Sequence, residues 1–286
     1  MTYASMRPDD DRDPAVRWPG GARSAAALTF DFDAESVWVA HDPLNAGRPC
    51  VLSMGAYGAR RGVPLLLELL ARHELRATFY VVGEVALHHR GRVEAIAADG
   101  HELAVHGWTH AAPASMRPDQ HVDDLARTRE LLERIGGRPV SGYRSPSADF
   151  GVELVQQLDA LGFRHSSNHS DDVHPYLHPG TQIVELPTSY LLDDAAHWWF
   201  SAAHWTKKMA TNGEVREIWD EELAGIHELG GLLVPMMHPQ IVGRPGRLRF
   251  LDGFLAHLRA HEIWIATAGE VAAHAAAELG EAGGGG

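Results

Sequence analysis

The sequence predicts an α/β fold, a parallel sheet wrapped by helices and arranged as a (β/α) barrel, complete or short of one strand. Three observations lead there. Short apolar runs of strand length alternate with longer segments whose apolar residues recur at three- and four-residue spacing. The apolar runs number about eight. No Gly-x-Gly-x-x-Gly follows the first of them, so a dinucleotide-binding sheet lacks its fingerprint.

The elements follow in order. Residues 1–20 are polar and acidic, lack the apolar core of a signal peptide, and read as an N-terminal arm. Residues 21–280 form one barrel domain with no internal linker, and 281–286 a flexible glycine tail. "AALTF" opens the sheet, and a long irregular stretch with scattered Gly and Pro follows from about 34 to 62. "PLLLELLARH" then has one apolar helical face and leads into the strand-like "RATFYVV" and "HELAVH". The helix "DQHVDDLARTRELLERIG" precedes "GYRS", and "VELVQQLDALG" precedes "FRHSS". After "IVELPTS" and a second irregular stretch, about 166 to 213, come "EVREIWDEELAGIHELG", "GLLVPMM", "RLRFLDGFLAHLRAH" and "EIWIA". Gly closes several of the helices, as a helix stop requires. Long loops in a compact domain are more often functional than accidental.

Composition narrows the partners. The chain has 286 residues, 45% of them apolar, and a formal net charge of -13. That charge argues against nucleic acid and against an anionic membrane surface, and for a small or neutral partner. No stretch approaches the roughly 18 apolar residues of a membrane span. Cys50 is the sole cysteine, so no intrachain disulfide forms. The expected location is the cytoplasm.

The 19 histidines are unusually many, and spacing picks out the few that matter. In a barrel the active site sits at the C-terminal ends of the strands. Asp31 and Asp33 close the first run, on one side of the chain by alternation. "HELAVHGWTH" ends in His106 and His110, an H-x-x-x-H that lets both imidazoles meet one ion. "GYRSP" brings Arg144, and "MMHPQ" brings His238. Two histidines and one carboxylate leave positions open on a divalent ion, as a catalytic site needs. Zinc is the natural choice, with Co2+, Ni2+ or Fe2+ compatible. A second carboxylate can take the proton of a water, and a histidine opposite can protonate a leaving nitrogen. These parts amount to metal-assisted amide hydrolysis, although spacing alone does not say which acid holds the ion.

Other residues carry weaker signals. Glu35 and Trp38 follow the first acids closely and are expected to shape the same pocket. Trp198, Trp199 and Phe200 are either core or substrate wall. Trp108 reads as packing support. His174 and His178 repeat H-x-x-x-H, but Pro175 and Pro179 exclude a regular helix, and they read as part of a loop over the active site. Arg244 and Arg247 in "GRPGR" either form a turn and helix start or reach a neighbour's site in an oligomer.

As a set, these motifs resemble the polysaccharide deacetylases, carbohydrate esterase family four, with the NodB homology domain. The family's T-F-D-D stands here as "TFDFD", its H-x-x-x-H as "HGWTH", and its R-x-P as "RSP", with Pro146. "RATFYVV" is similar to its second strand and "MMHP" to its late histidine, and the resemblance spans roughly residues 20 to 275. It implies a distorted (β/α) barrel of seven or eight strands. It implies that Asp33, His106 and His110 hold the metal, Asp31 is the base, His238 the acid, and Arg144 orients the base. Pro146 joins Glu35, Trp38, Trp198 and Trp199 as expected substrate contacts. The spaced acids and "HPQIVGRPGR" are similar to a subgroup of intracellular peptidoglycan-deacetylase-like proteins, cyclic imide hydrolases and allantoinase-like enzymes, which implies a homotetramer. The implied reaction removes an N-acetyl group from an amino sugar or opens a small cyclic imide. A metal-independent ureide hydrolase and a non-catalytic carbohydrate-binding barrel are the alternatives. The latter would be expected to have lost an acid or a ligand, and none is missing.

Overall fold

The computed structural model describes residues 16–148, 153–200 and 208–283. Its strands are β1 (Ser24–Ala27), β2 (Thr29–Phe32), β3 (Thr78–Val81), β4 (Glu102–Val105), β5 (Gly142–Tyr143) and β6 (His165–Ser166). They continue with β7 (Tyr176–Leu177), β8 (Val184–Glu185), β9 (Leu232–Leu233), β10 (Met236–Met237) and β11 (Ile263–Ala266). Each of the apolar runs picked out in the sequence holds at least one strand; β7 was not among them.

The strands pair in the order β10-β2-β3-β4-β5-β6-β8-β7, with a second set β11-β1-β9. Every pairing is parallel except β7 with β8. β1 and β2 are one run interrupted at Leu28, and β9 and β10 one run interrupted at Val234-Pro235. Proline cannot donate to a ladder, which accounts for the second break. The shared runs tie both sets into one curled sheet, a distorted (β/α) barrel. Its remaining side is bridged by single links: Asp193 pairs with Met236, and the Leu232 N–H donates to the Val173 carbonyl at 2.8 Å.

β2 is buried along its whole length. Phe30 and Phe32 enter the main core with Leu66, Leu69 and Leu70 of helix Val63–Arg72. Phe30 stacks on Phe79 of β3 at 4.9 Å. Alternation turns Thr29 and Asp31 the other way, toward the barrel interior. A smaller apolar cluster closes the N-terminal end of the barrel. It includes Val16 and Trp18, whose indole donates to the Gly230 carbonyl at 2.8 Å. The end of the expected arm is therefore packed; residues 1–15 lie outside the described residues.

The stretch 34–62 is mostly helical rather than irregular, through Ser36–His41, Pro43–Gly47, Pro49–Tyr57 and a π-helical turn Gly58–Gly62 that runs into Val63–Arg72. Pro43 and Pro49 stand in first turns, where a missing N–H costs nothing, so they start helices rather than break them. Helices Gly83–His88, Arg90–Ala98 and Ala268–Gly283 were likewise unforeseen. The second irregular stretch carries β7, β8 and helix Asp194–Trp198, and its residues 201–207 lie outside the described residues, as do 284–286 of the expected tail. Among the described residues no helix is long and apolar enough to cross a membrane.

Candidate active site

The parallel strands deliver their polar termini to one end of the barrel. Asp31 sits in β2 and Asp33 just beyond it; His106 follows β4, Arg144 follows β5, and His238 follows β10. All six residues predicted to act as catalytic groups or metal ligands, His110 included, line one pocket of about 370 Å³. The backbone there is unusual. Ala34, His110 and Ser147, each directly after or within a motif, have φ of 43°, 62° and 62°. Non-glycine residues rarely hold such angles, and strain of this kind gathers at sites where side chains must be aimed.

Asp33 is buried to 1% exposure, and its Oδ1 has no hydrogen-bond partner. That oxygen lies 3.5 Å from Nε2 of His106 and 3.8 Å from Nε2 of His110. Its Oδ2 accepts from the Gln240 amide at 3.2 Å. The His106 Nδ1 lies 2.9 Å from the Arg144 carbonyl. A carbonyl only accepts, so Nδ1 carries the proton and Nε2 presents its lone pair toward Asp33. Burial pushes Asp33 up to about 7, with His238 opposing and Asp31 adding to the rise. Burial pushes His106 down, and His110 well down with the help of His106 and His238. Two neutral imidazoles and an orphaned carboxylate oxygen converge, which fits a divalent cation.

Asp31 has the opposite electrostatics. Burial would raise its pKa, but the Arg144 guanidinium, 2.8 Å from Oδ1, holds it below the ordinary carboxylate value. Arg144 is itself fixed, donating to Thr29 Oγ1 at 2.8 Å, to Ser167 Oγ at 2.9 Å and to the Ser167 carbonyl at 3.2 Å. Its guanidinium also lies 4.3 Å from the Tyr80 ring. The Asp31 side chain therefore stays ionised and aimed.

His238 faces both acids, with Nε2 4.0 Å from Asp31 Oδ2 and 3.8 Å from Asp33 Oδ2. Its Nδ1 meets Asp194 Oδ1 at 2.6 Å, and its backbone N–H donates to Asp194 Oδ2 at 2.9 Å. Burial alone would lower the imidazole, yet Asp194, Asp33 and Asp193 raise it well above its ordinary value. Asp194 was missed in the sequence. The only available signal was the paired acids of "LLDDAAHWWF", which read as loop. Gln240 was missed too, although it lies two residues beyond His238.

The expected substrate contacts divide. Trp199 lines this pocket and also an adjoining hollow of about 380 Å³, where Trp38, Trp198 and Phe200 line the wall. Trp198 is also core, edge-on to Phe250 at 5.0 Å. Glu35 is not in the pocket wall, because His89 Nε2 holds its carboxylate at 2.8 Å. Pro146 is buried under Gly107 and does not line the pocket either. Trp108 packs under the Arg127 guanidinium and beside Gly83, as a support would. His174 and His178 do not converge: His178 pairs with Glu185 at 2.8 Å, and neither histidine lines the pocket.

The family model "Polysaccharide deacetylase" matches residues 44–166, a stretch that includes His106, His110 and Arg144. Over 265 residues the chain is 24% identical to the peptidoglycan deacetylase of Helicobacter pylori, covering 82% of this chain and 90% of that one. A Mycobacterium smegmatis crystal structure assigned to the polysaccharide deacetylases superposes with TM-score 0.88 at 35% identity, over 92% of this chain and 93% of that one. An allantoinase structure superposes with TM-score 0.79 at 20% identity, over 92% and 94%, a likeness of fold alone.

Proposed function

Because the chain belongs to the polysaccharide deacetylase family, we propose that it is a metal-dependent hydrolase of non-peptide C–N bonds. It removes an N-acetyl group from an amino sugar or opens a small cyclic imide. The observation that carries the metal is the buried, unpartnered Oδ1 of Asp33 opposite two imidazole Nε2 atoms. Asp33, His106 and His110 would hold the ion, with zinc favoured and Co2+, Ni2+ or Fe2+ compatible with the same donors. When bound, a divalent ion supplies polarisation of the amide carbonyl and acidification of water.

The chain's own groups do the rest. Asp31, kept ionised by Arg144, accepts a proton from the water that adds to the carbonyl carbon. His238, charged against Asp194, lies opposite and gives its Nε2 proton to the departing nitrogen as the C–N bond breaks. One water is consumed, and an acid and an amine leave. For the imide the same steps open the ring. We place the enzyme in the cytoplasm as a homo-oligomer, with a tetramer favoured, and light scattering checks that assembly.

The deciding measurement is elemental analysis of the purified protein before and after chelation, with N-acetylglucosamine oligomers and glutarimide assayed on each sample. About one transition metal per chain with chelator-sensitive turnover is expected. Turnover that survives complete removal of metal would overturn this reading in favour of a metal-independent ureide hydrolase. Metal with no turnover of either compound would leave the metal site standing and the substrate to be found among other amides.

A further inference from the structure

Beside the catalytic pocket, across Trp199, lies the second hollow. Trp38 stacks on Trp199 at 4.6 Å and 23°, so the two indoles form a flat partition. Arg244 and Arg247 also line the hollow. Both guanidinium groups rest on aromatic faces, Arg244 3.7 Å from the Tyr57 ring and Arg247 4.3 Å from the Trp198 ring. Arg244 donates to the Gln240 carbonyl at 3.3 Å, and Arg247 donates to Asn212 Oδ1 and, at 3.4 Å, to the Ala210 carbonyl.

No carboxylate among the described residues pairs with either arginine, in a chain that carries 38 acidic residues against 25 basic ones. Most of the ion-paired arginines here sit on the surface beside their acids, whereas the exposed Arg244 and the half-buried Arg247 lean on aromatic rings instead. Flat apolar walls and two arginines with no carboxylate partner among the described residues together form a receptor for a ring that bears an anion.

We infer that this hollow is a specificity subsite for a carboxylate carried on a planar or ring-shaped part of the substrate, with the ring against Trp199 and the carboxylate between Arg244 and Arg247. The inference rests on the amide-hydrolase reading above and narrows its substrate to anionic amides or imides. It assigns Arg244 and Arg247 to their own chain's site rather than to a neighbour's.

The test compares 4-acetamidobenzoate with its neutral counterpart 4-acetamidobenzamide on the metal-loaded protein, by calorimetric titration and by release of acetate. The acid is expected to bind about tenfold or more tighter, a ratio set by charge-assisted hydrogen bonds to the guanidinium groups. That ratio should shrink with added salt and fall toward one in Arg244→Gln combined with Arg247→Gln. The double Arg→Lys variant should keep part of it, which separates loss of charge from loss of packing. Equal affinity for acid and amide in the wild-type protein overturns the subsite, whether or not either is hydrolysed. A preference that persists in the Gln variant with an unchanged melting temperature also overturns it. Tight, arginine-dependent binding of the acid without acetate release from either compound upholds the subsite and counts instead against the hydrolase reading.

Discussion

In the proposed reaction, proton delivery turns on His238 and its partner Asp194. The imidazole is held charged well into the range where a free histidine would be neutral, chiefly by a carboxylate at 2.6 Å working against burial. Asp194→Asn keeps an acceptor for Nδ1 but removes the charge, so the pKa of His238 falls. The protonated acid is then lost at lower pH, and the alkaline limb of kcat/KM moves down. We expect activity to drop about 10- to 100-fold at pH 8 and less at pH 6. A pH–rate profile of the variant whose alkaline limb has not moved would remove His238 from the acid's role. Asp31 supplies the complementary case. Arg144 holds it ionised, so Asp31→Asn should cost about 10²- to 10⁴-fold in turnover. Its metal content, read by elemental analysis, should be unchanged. Loss of metal together with activity would mean that the two acids exchange roles.

The helical run from Pro49 to Arg72 explains how a late loop is held beside early strands. Its π-helical turn ends at Gly62, against the Pro239 carbonyl and close to Gly243. A Cβ at Gly62 would stand 2.8 Å from the Pro239 carbonyl carbon, backbone that cannot swing aside. Gly62→Ala should therefore destabilise the fold by about 1–3 kcal/mol and disturb the adjacent His238. Thermal melting with parallel activity assays checks this; a variant with wild-type melting and turnover would show that the loop does not depend on that helix. Nothing in the sequence betrays this contact, since it joins Gly62 to Pro239, in a loop far later in the chain. Asp31, Asp33, His106, His110, Arg144 and His238 were legible because each interrupts an apolar run at its end. Asp194 was not, because its value comes from a bridge between Asp193 and Met236 that closes the barrel. Glu35 misled for the converse reason: its proximity in sequence to Asp33 gave way to a spatial partner, His89.

At the scale of the molecule, the barrel buries a carboxylate that its own side chains do not fully satisfy. Without a cation, burial lifts Asp33 to about 7 from an ordinary value of 3.8. The folded chain then holds a proton that the unfolded chain releases. Its stability contribution is whole below about pH 4 and is lost as pH rises toward 7, with little further change above. A bound cation removes that loss, and it also prefers the neutral imidazoles of higher pH. The gap in melting temperature between metal-loaded and metal-free protein should therefore widen from pH 5 to pH 7.5. At a free metal concentration about 100-fold above Kd it should reach about 5–10 °C. Asp33→Asn provides the control, because an amide has no proton to lose. The metal-free variant should melt with less dependence on pH than the metal-free parent, and metal should raise its melting temperature far less. A gap that is flat with pH, or one that survives intact in Asp33→Asn, would show that the cation is held by some carboxylate other than the one at the end of β2.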